Sequence, residues 1–363
     1  MSHHNARHPE QLRLASFNIR YSRTSPPLAY PAPPFRHEDQ NQTLGEQPWE
    51  TRRWLVANQI LWELPDAIGL QEVIKGQYDN MKELLGGAYD SIGVGRDDGK
   101  DAGEFEPIFW RRDRLQLLSH HYFWLSPTPA VPGSVGWDAN LTRMATVARF
   151  QFVHTSSSSP NSQNSFYFLN AHYDHQGVIA RAKSSSVILS QIQKILSEDG
   201  VTSSNGDGKG SLVAMVGDLN SPEEEDGYRV LTGYKYVGDG SNAQSKGEKG
   251  TTFLDAGREL SIVQNRPDGT STLKKGGIAS LYGPYGDFHT YTGFGKEDPS
   301  IIDVVLWNQF GVQPKDDSNV EAEKGKVQVG WKSVRFGILP NQFEGEMRST
   351  DHRMVVAVLQ QEI

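Results

Sequence analysis

The chain has 363 residues, with 36 Lys and Arg against 44 Asp and Glu, a net charge of −8 and no cysteine. The missing cysteines exclude disulfides, thiol catalysis and thiolate metal sites. The acidic balance argues against a surface made for tight nonspecific grip on nucleic acid.

The N-terminus "MSHHNARHPEQ" is polar and lacks the apolar core of a signal peptide. No run approaches the length of a membrane span, so a cytoplasmic protein is expected, a secreted one only if a signal has been removed. "LRLASFNIRY" (12–21) alternates apolar and polar residues and predicts a strand. Residues 22–48, rich in Pro and polar groups, predict a long loop. A helix is expected over 49–64, with Trp54, Ala57 and Leu61 on one face and Pro65 ending it. Strands are expected at 66–73, 88–94, 106–110, 114–119, 144–153 and 166–172, with a hairpin loop at 156–165. Val178, Ala182, Leu189, Ile192 and Leu196 mark a helix over 178–196. "SLVAMVGD" predicts the next strand, and residues 236–287 a Gly-rich surface elaboration. Strands at 288–294, 301–307, 326–336 and 352–360 close the chain. Mixed strands with a few helices between them predict a layered α/β protein with one continuous core.

Several polar residues sit at the ends of apolar strands: Asn18, Glu72, His172, Asp218 with Asn220, Asp303, and the pair Asp351-His352. Strand ends are where folds place chemistry. Asp218 and Asn220 are two residues apart, which on a strand puts both on one face. Each residue alone also fits a turn, a cap or a structural ion pair. Asp303 is harder to explain that way, because a carboxylate inside an apolar strand needs a partner.

The ordered set "SFNIR", "IGLQE", "NAHYDH", "GDLNS", "IDVV" and "STDH", spanning residues 16 to 352, resembles the endonuclease/exonuclease/phosphatase superfamily, to which deoxyribonuclease I and the neutral sphingomyelinases belong. The resemblance implies a four-layered α/β sandwich: two packed mixed β-sheets flanked by helices. It implies one domain over 12–363 after a polar tail at 1–11, with insertions near 22–48 and 236–287. It further implies a magnesium- or manganese-dependent phosphoesterase. Glu72 matches the principal metal ligand, with Asn18 and Asp351 as outer members of an all-oxygen site suited to a hard cation. His352 matches the general base and Asp303 its orienting partner. Asp218 matches the residue that positions or deprotonates the attacking water, and Asn220 one that hydrogen-bonds the phosphate. His172 matches a second histidine that donates to a phosphate or leaving-group oxygen, with Glu104 as its partner. Arg143, Asn170 and Arg96 are further candidates for substrate contact.

A small phosphorylated substrate is expected. A nuclease is the alternative, although no basic, aromatic-interleaved stretch supports it. A catalytically inactive binding protein would show an eroded site, whereas every motif residue is present. A calcium site at "SPEEED" lacks the alternating ligand spacing of a calcium loop, so a solvated acidic face is the expectation there.

Overall fold

The computed structural model describes residues 11–28, 46–153, 165–201, 211–234, 252–262, 285–310, 330–342 and 348–361. The expected tail, most of the 22–48 and 236–287 insertions, nearly all of the 156–165 loop and the start of the 326–336 strand lie outside these residues.

The elements run β1 (Gln11–Asn18), α1 (Trp49–Glu63), β2 (Ala67–Gln71), β3 (Val73–Ile74), α2 (Lys75–Leu85), β4 (Tyr89–Ile92), β5 (Glu104–Phe105), β6 (Ile108–Arg111), β7 (Leu115–Trp124), β8 (Met144–Phe152), β9 (Ser165–His172), α3 (Val178–Glu198), β10 (Ser211–Asp218), α4 (Asp226–Thr232), β11 (Leu254–Asp255), α5 (Ala256–Ile262), β12 (Tyr285–Gly286), β13 (Asp303–Phe310), β14 (Trp331–Ile338) and β15 (Val355–Gln361). One mixed sheet has the order β12-β14-β15-β1-β2-β6-β4, the other β11-β13-β10-β9-β8-β7, and β3 pairs with β5 in a small ribbon. The expected four-layered arrangement is observed. Leu12, Leu14, Phe150, Phe166, Phe168, Val216 and Val355 fill the space between the two sheets. On the outside, Val56 and Ile60 of α1 and Met81 and Leu85 of α2 pack on Phe17, Ile68 and Leu70 of the first sheet. Ile188 and Ile192 of α3 and Leu231 of α4 pack on Val147, Leu169 and Met215 of the second. Among the described residues no helix is long and apolar enough to cross a membrane.

Several element boundaries differ from the sequence reading. The first strand stops at Asn18, and the last starts at Val355, leaving Asp351-His352 in the turn before it. Residues 288–294 form an isolated bridge at Tyr291 and a short 3-10 turn rather than a strand. The helices α2, α4 and α5 carry apolar spacing too short or too interrupted by Gly to stand out. Helix α1 turns Trp49, Val56 and Ile60 inward, while Leu61 is exposed. The rotation follows from Arg52, which is fully buried and donates to Ile19 O (2.8 Å), Ser349 O (3.1 Å) and Gln47 O (2.8 Å). An arginine was needed there to satisfy carbonyls of two loops that leave the core.

Strand alternation explains where chemistry gathers. On β1, Leu12 and Leu14 face the other sheet and, two residues at a time, so do Ser16 and Asn18. On β9 the inward row is Phe166, Phe168, Asn170, His172, and on β10 it is Leu212, Ala214, Val216, Asp218. Each inward row starts apolar and turns polar toward the same end of the sandwich. Asn170 marks the transition. Its amide donates to Leu70 O (2.8 Å) and Pro107 O (2.9 Å) and accepts from Gln71 Nε2 (2.7 Å), so it staples one sheet to the other. Gly69 makes room for it, because a Cβ there would lie 2.5 Å from the Asn170 side chain. We expect Asn170→Ala to cost about 3 kcal/mol in urea unfolding, since it removes three buried hydrogen bonds between the sheets at once. A loss below about 1 kcal/mol would show that the staple is dispensable.

Candidate active site

The register of three neighbouring strands assembles the centre. Asp218 at the end of β10 is paired with His172 of β9 on one side and Asp303 of β13 on the other. All three are on the inward face and nearly inaccessible to solvent. The opposite sheet reaches across through Asn18, whose Nδ2 donates to Asp218 Oδ2 (3.0 Å) and Glu72 Oε1 (3.1 Å). The chain then turns, and Asn220 adopts a left-handed φ of 46° that brings its backbone N–H to Asp218 Oδ1 (2.8 Å). Asn220 therefore joins the site through a turn and not, as strand alternation suggested, as part of β10. Its Nδ2 lies 3.1 Å from Tyr173 O and 3.0 Å from His172 Nε2.

Two histidines flank Asp218, each with Nε2 3.6 Å from Asp218 Oδ2. Their far sides differ. His352 Nδ1 meets Asp303 Oδ2 at 2.8 Å, and its ring packs against Tyr291 with centroids 4.9 Å apart. His172 Nδ1 meets Arg143 Nη1 at 2.9 Å. Burial opposes charging either ring, but the charge and hydrogen bond of Asp303 outweigh it and push His352 up to about 10. For His172 burial and the Arg143 charge act together and hold it well below its ordinary value. Asp218 is pushed up to about 7 by burial and by the Asp303 charge, against the pull of His352.

Glu72 follows β2 with a left-handed φ of 59°, and Arg20 follows β1 with a φ of 58°. Both are non-glycine residues in a strained region, a conformation that costs about 1–3 kcal/mol and clusters at functional sites. Tyr21 N–H donates to Glu72 Oε2 (3.1 Å). The Arg20 guanidinium lies 3.6 Å from Glu72 and 3.9 Å from Asp351. Burial works against ionising Glu72, but Arg20, His352 and the Tyr21 N–H hold it below its usual range. Burial, with Glu72 adding to it, raises Asp351. The donor set fits a hard divalent cation: two carboxylates, Glu72 and Asp351, already share one positive group, the Arg20 guanidinium, and the Asn18 amide is hydrogen-bonded to Glu72.

Other expected residues are placed differently. Arg96 Nη1 donates to Glu104 Oε2 at 2.6 Å. Glu104 makes no hydrogen bond to His172; Arg143 stands there instead, with Nη1 3.8 Å from Glu104 Oε2 and Nη2 3.4 Å from His175 Nδ1. Asn170, expected to touch substrate, spends its amide on the sheet-to-sheet staple. Glu106 is a residue the sequence reading passed over. It is fully buried, both its oxygens lack a partner, and burial together with the Glu104 charge pushes it well above its usual range. The two-residue spacing from Glu104 was the available signal. Glu104, Glu106 and His172 offer ligand atoms within 4.8 Å of one another, as do Asp218, Asp303 and His352. In the first group two guanidinium ions already supply the positive charge, and in the second His352 is already bonded to Asp303. The acidic run at 223–226 is met by arginines: Arg181 on Glu225 (2.7 Å), Arg258 on Glu223 and Arg229 near Asp226.

The raised Asp218 carries a consequence for stability. Folded Asp218 holds its proton more tightly than the unfolded chain does, so it contributes stability below about pH 4 that is lost as pH rises through about 7. We expect Asp218→Asn, in the presence of chelator, to melt about 3 °C above wild type at pH 8 and to converge with it toward pH 4. Equal melting temperatures at pH 8 would show that the buried carboxylate carries no penalty.

Solved structures share this fold. A crystal structure of an endonuclease/exonuclease/phosphatase from Bacteroides vulgatus is 25% identical, with a TM-score of 0.65, covering 97% of this chain and 100% of that one. The mannosyl-6-phosphatase of Bacteroides thetaiotaomicron is 24% identical, with a TM-score of 0.62 and coverage of 96% and 99%. D. rerio TDP2, complexed with single-strand DNA product, is 12% identical, with a TM-score of 0.53 and coverage of 96% and 98%. Among curated proteins none matches significantly. The model of the Endonuclease/Exonuclease/phosphatase family matches residues 15–352, and this chain belongs to that family of phosphoesterases.

Proposed function

We propose that the protein is a divalent-metal-dependent phosphoesterase that hydrolyses a small phosphorylated substrate by in-line attack of water. The observation that carries this reading is a surplus of hydrogen-bond donors beside Asp218. Arg143 can only donate, so His172 Nδ1 must accept and Nε2 carries the hydrogen. The Asn220 amide lies 3.0 Å from that same Nε2, which leaves two donors facing each other. A phosphoryl oxygen accepts from both and removes the conflict.

Asp218, raised to about 7, then takes the proton of the attacking water. The new O–P bond forms as the ester O–P bond breaks. His352, held positive by Asp303, stabilises the negative charge on the phosphoryl and leaving oxygens and can return a proton to the leaving oxygen. A magnesium or manganese ion held by Glu72 and Asp351, with Asn18 beside them, would neutralise phosphate charge and lower the barrier to attack.

Substrate size follows from the cations. Arg96 and Arg143 are 7% and 4% exposed and bound to Glu104 and His172, so they cannot track a polymer backbone. The mannosyl-6-phosphatase shares the fold, and sugar phosphates are the first class to test. A panel of phosphomonoesters and diesters with Mg²⁺ or Mn²⁺ is expected to show turnover of small substrates well above nicking of plasmid DNA at about 150 mM salt. Asp218→Asn and His352→Ala should each lose about 10²–10⁴-fold in kcat while remaining folded. Efficient plasmid nicking with steep salt dependence would restore the nuclease reading.

Crystals soaked in Mn²⁺ should show anomalous density between Glu72 and Asp351, and Glu72→Gln should abolish the shift in melting temperature that Mn²⁺ produces. Density only along residues 223–226 would overturn the metal assignment.

A further inference from the structure

The family resemblance makes Glu104 the partner of His172, which would be the wiring of a proton donor: a carboxylate on Nδ1 favours the charged ring. The structure has a guanidinium in that place. Arg143 Nη1 is 2.9 Å from His172 Nδ1, Arg143 is 4% exposed, and Glu104 is drawn instead to Arg96 at 2.6 Å. A guanidinium has five donors, no acceptor and no accessible deprotonated form. The Nδ1 beside it must therefore be the unprotonated nitrogen, and in a neutral imidazole the hydrogen then sits on Nε2.

We infer that Arg143 is a positioning residue that locks His172 as the neutral Nε2–H tautomer, so that His172 serves the reaction as a fixed hydrogen-bond donor and not as an acid. The tautomer rests on the protein geometry alone. The donor role rests on the phosphoester reading.

The groups facing the ring are consistent with this lock. Arg143, from the segment before β8, is on Nδ1, with Arg96 behind Glu104 adding a second positive charge. His175, from the segment after β9, and His352, from the turn before β15, add to the electrostatic cost of charging it. Opposing them are Glu104 of β5, already paired, and Asp218 of β10, 3.6 Å from Nε2, while burial holds Glu106 toward its neutral form. Asp218 is correctly placed to attract an Nε2–H, which favours the same tautomer. The contrast with His352 is internal: there a carboxylate lies 2.8 Å from Nδ1, which must donate. Two imidazoles beside one carboxylate are thus wired in opposite senses. A neutral Nε2–H can stabilise charge on a phosphoryl oxygen, but giving up that hydrogen would leave an imidazolate, so the leaving-group proton has to come from elsewhere.

The test uses the full chain labelled with ¹⁵N-histidine. Long-range ¹H–¹⁵N correlation spectra at pH 7 report which ring nitrogen is protonated, and His172 is assigned by the signal lost in His172→Gln or His172→Asn. The expected pattern is a protonated Nε2 with an unprotonated Nδ1, changing to another tautomer or to the charged ring in Arg143→Gln. A wild-type ring protonated on Nδ1, alone or together with Nε2, overturns the inference. In kinetics on the substrate found by the panel, His172→Gln keeps an amide donor and should fall about 10-fold in kcat, whereas His172→Ala should fall about 10²–10³-fold. Equal losses in the two variants overturn the donor role. Absence of any phosphoester turnover would sink the proposed function while the spectrum still decides the tautomer.

Discussion

The centre depends on one constraint, the register that places His172, Asp218 and Asp303 in a single inward-facing row across β9, β10 and β13. Three ionisable residues side by side between two sheets is an expensive arrangement, because each loses hydration and two carry the same charge. The close approach of the strands shows in Gly217, where a Cβ would fall 2.0 Å from Ala171 O. Any larger residue would push β10 from β9 just where Asp218 and His172 must stay level. The cost is offset by fixed donors, namely the Asn18 amide from the other sheet and the Asn220 backbone, and by the positive charge that Asp303 keeps on His352.

This arrangement gives one carboxylate two different neighbours. Asp218 is destabilised by burial and by Asp303, which makes it a stronger proton acceptor than a surface aspartate. His352 is stabilised in its charged form and His172 in its neutral form, and the difference comes from what lies behind each ring. The proposed reaction, with a water, a phosphate and a developing negative charge in one place, calls for an acceptor, a cation and a neutral donor close together. Separate second partners allow all three within one small space.

Polar groups just outside the centre serve the fold. Asn170 holds the two sheets together, and Arg52 ties α1 to the carbonyls of Ile19 and Ser349, which flank the turns carrying Arg20 and Asp351. Both are buried and fully engaged, so their value lies in fixing the positions of neighbours. The left-handed backbones of Arg20 and Glu72 fall beside these supports, and that of Asn220 is held by Asp218, so hydrogen bonds hold each strained conformation.

The order of strand-end motifs and the parity of the strands were legible in the sequence, because local alternation decides which side chains share a face. The positions of Asn18, His172, Asp218 and Asp303 at strand ends were readable there, and in the folded chain the alternation of each strand turns their side chains inward. The short helix α2 and the bridge at Tyr291 were not legible, since their stability comes from packing and not from periodicity. Nor were the partners. Whether Arg143 meets phosphate or His172, whether Asn170 points to substrate or to the opposite sheet, and whether Glu106 is buried all depend on which loop from distant sequence lies across from each strand end. Sequence determined the residues and the faces they share. Only the tertiary structure decided the neighbours, and for ionisable groups the neighbours set the charge.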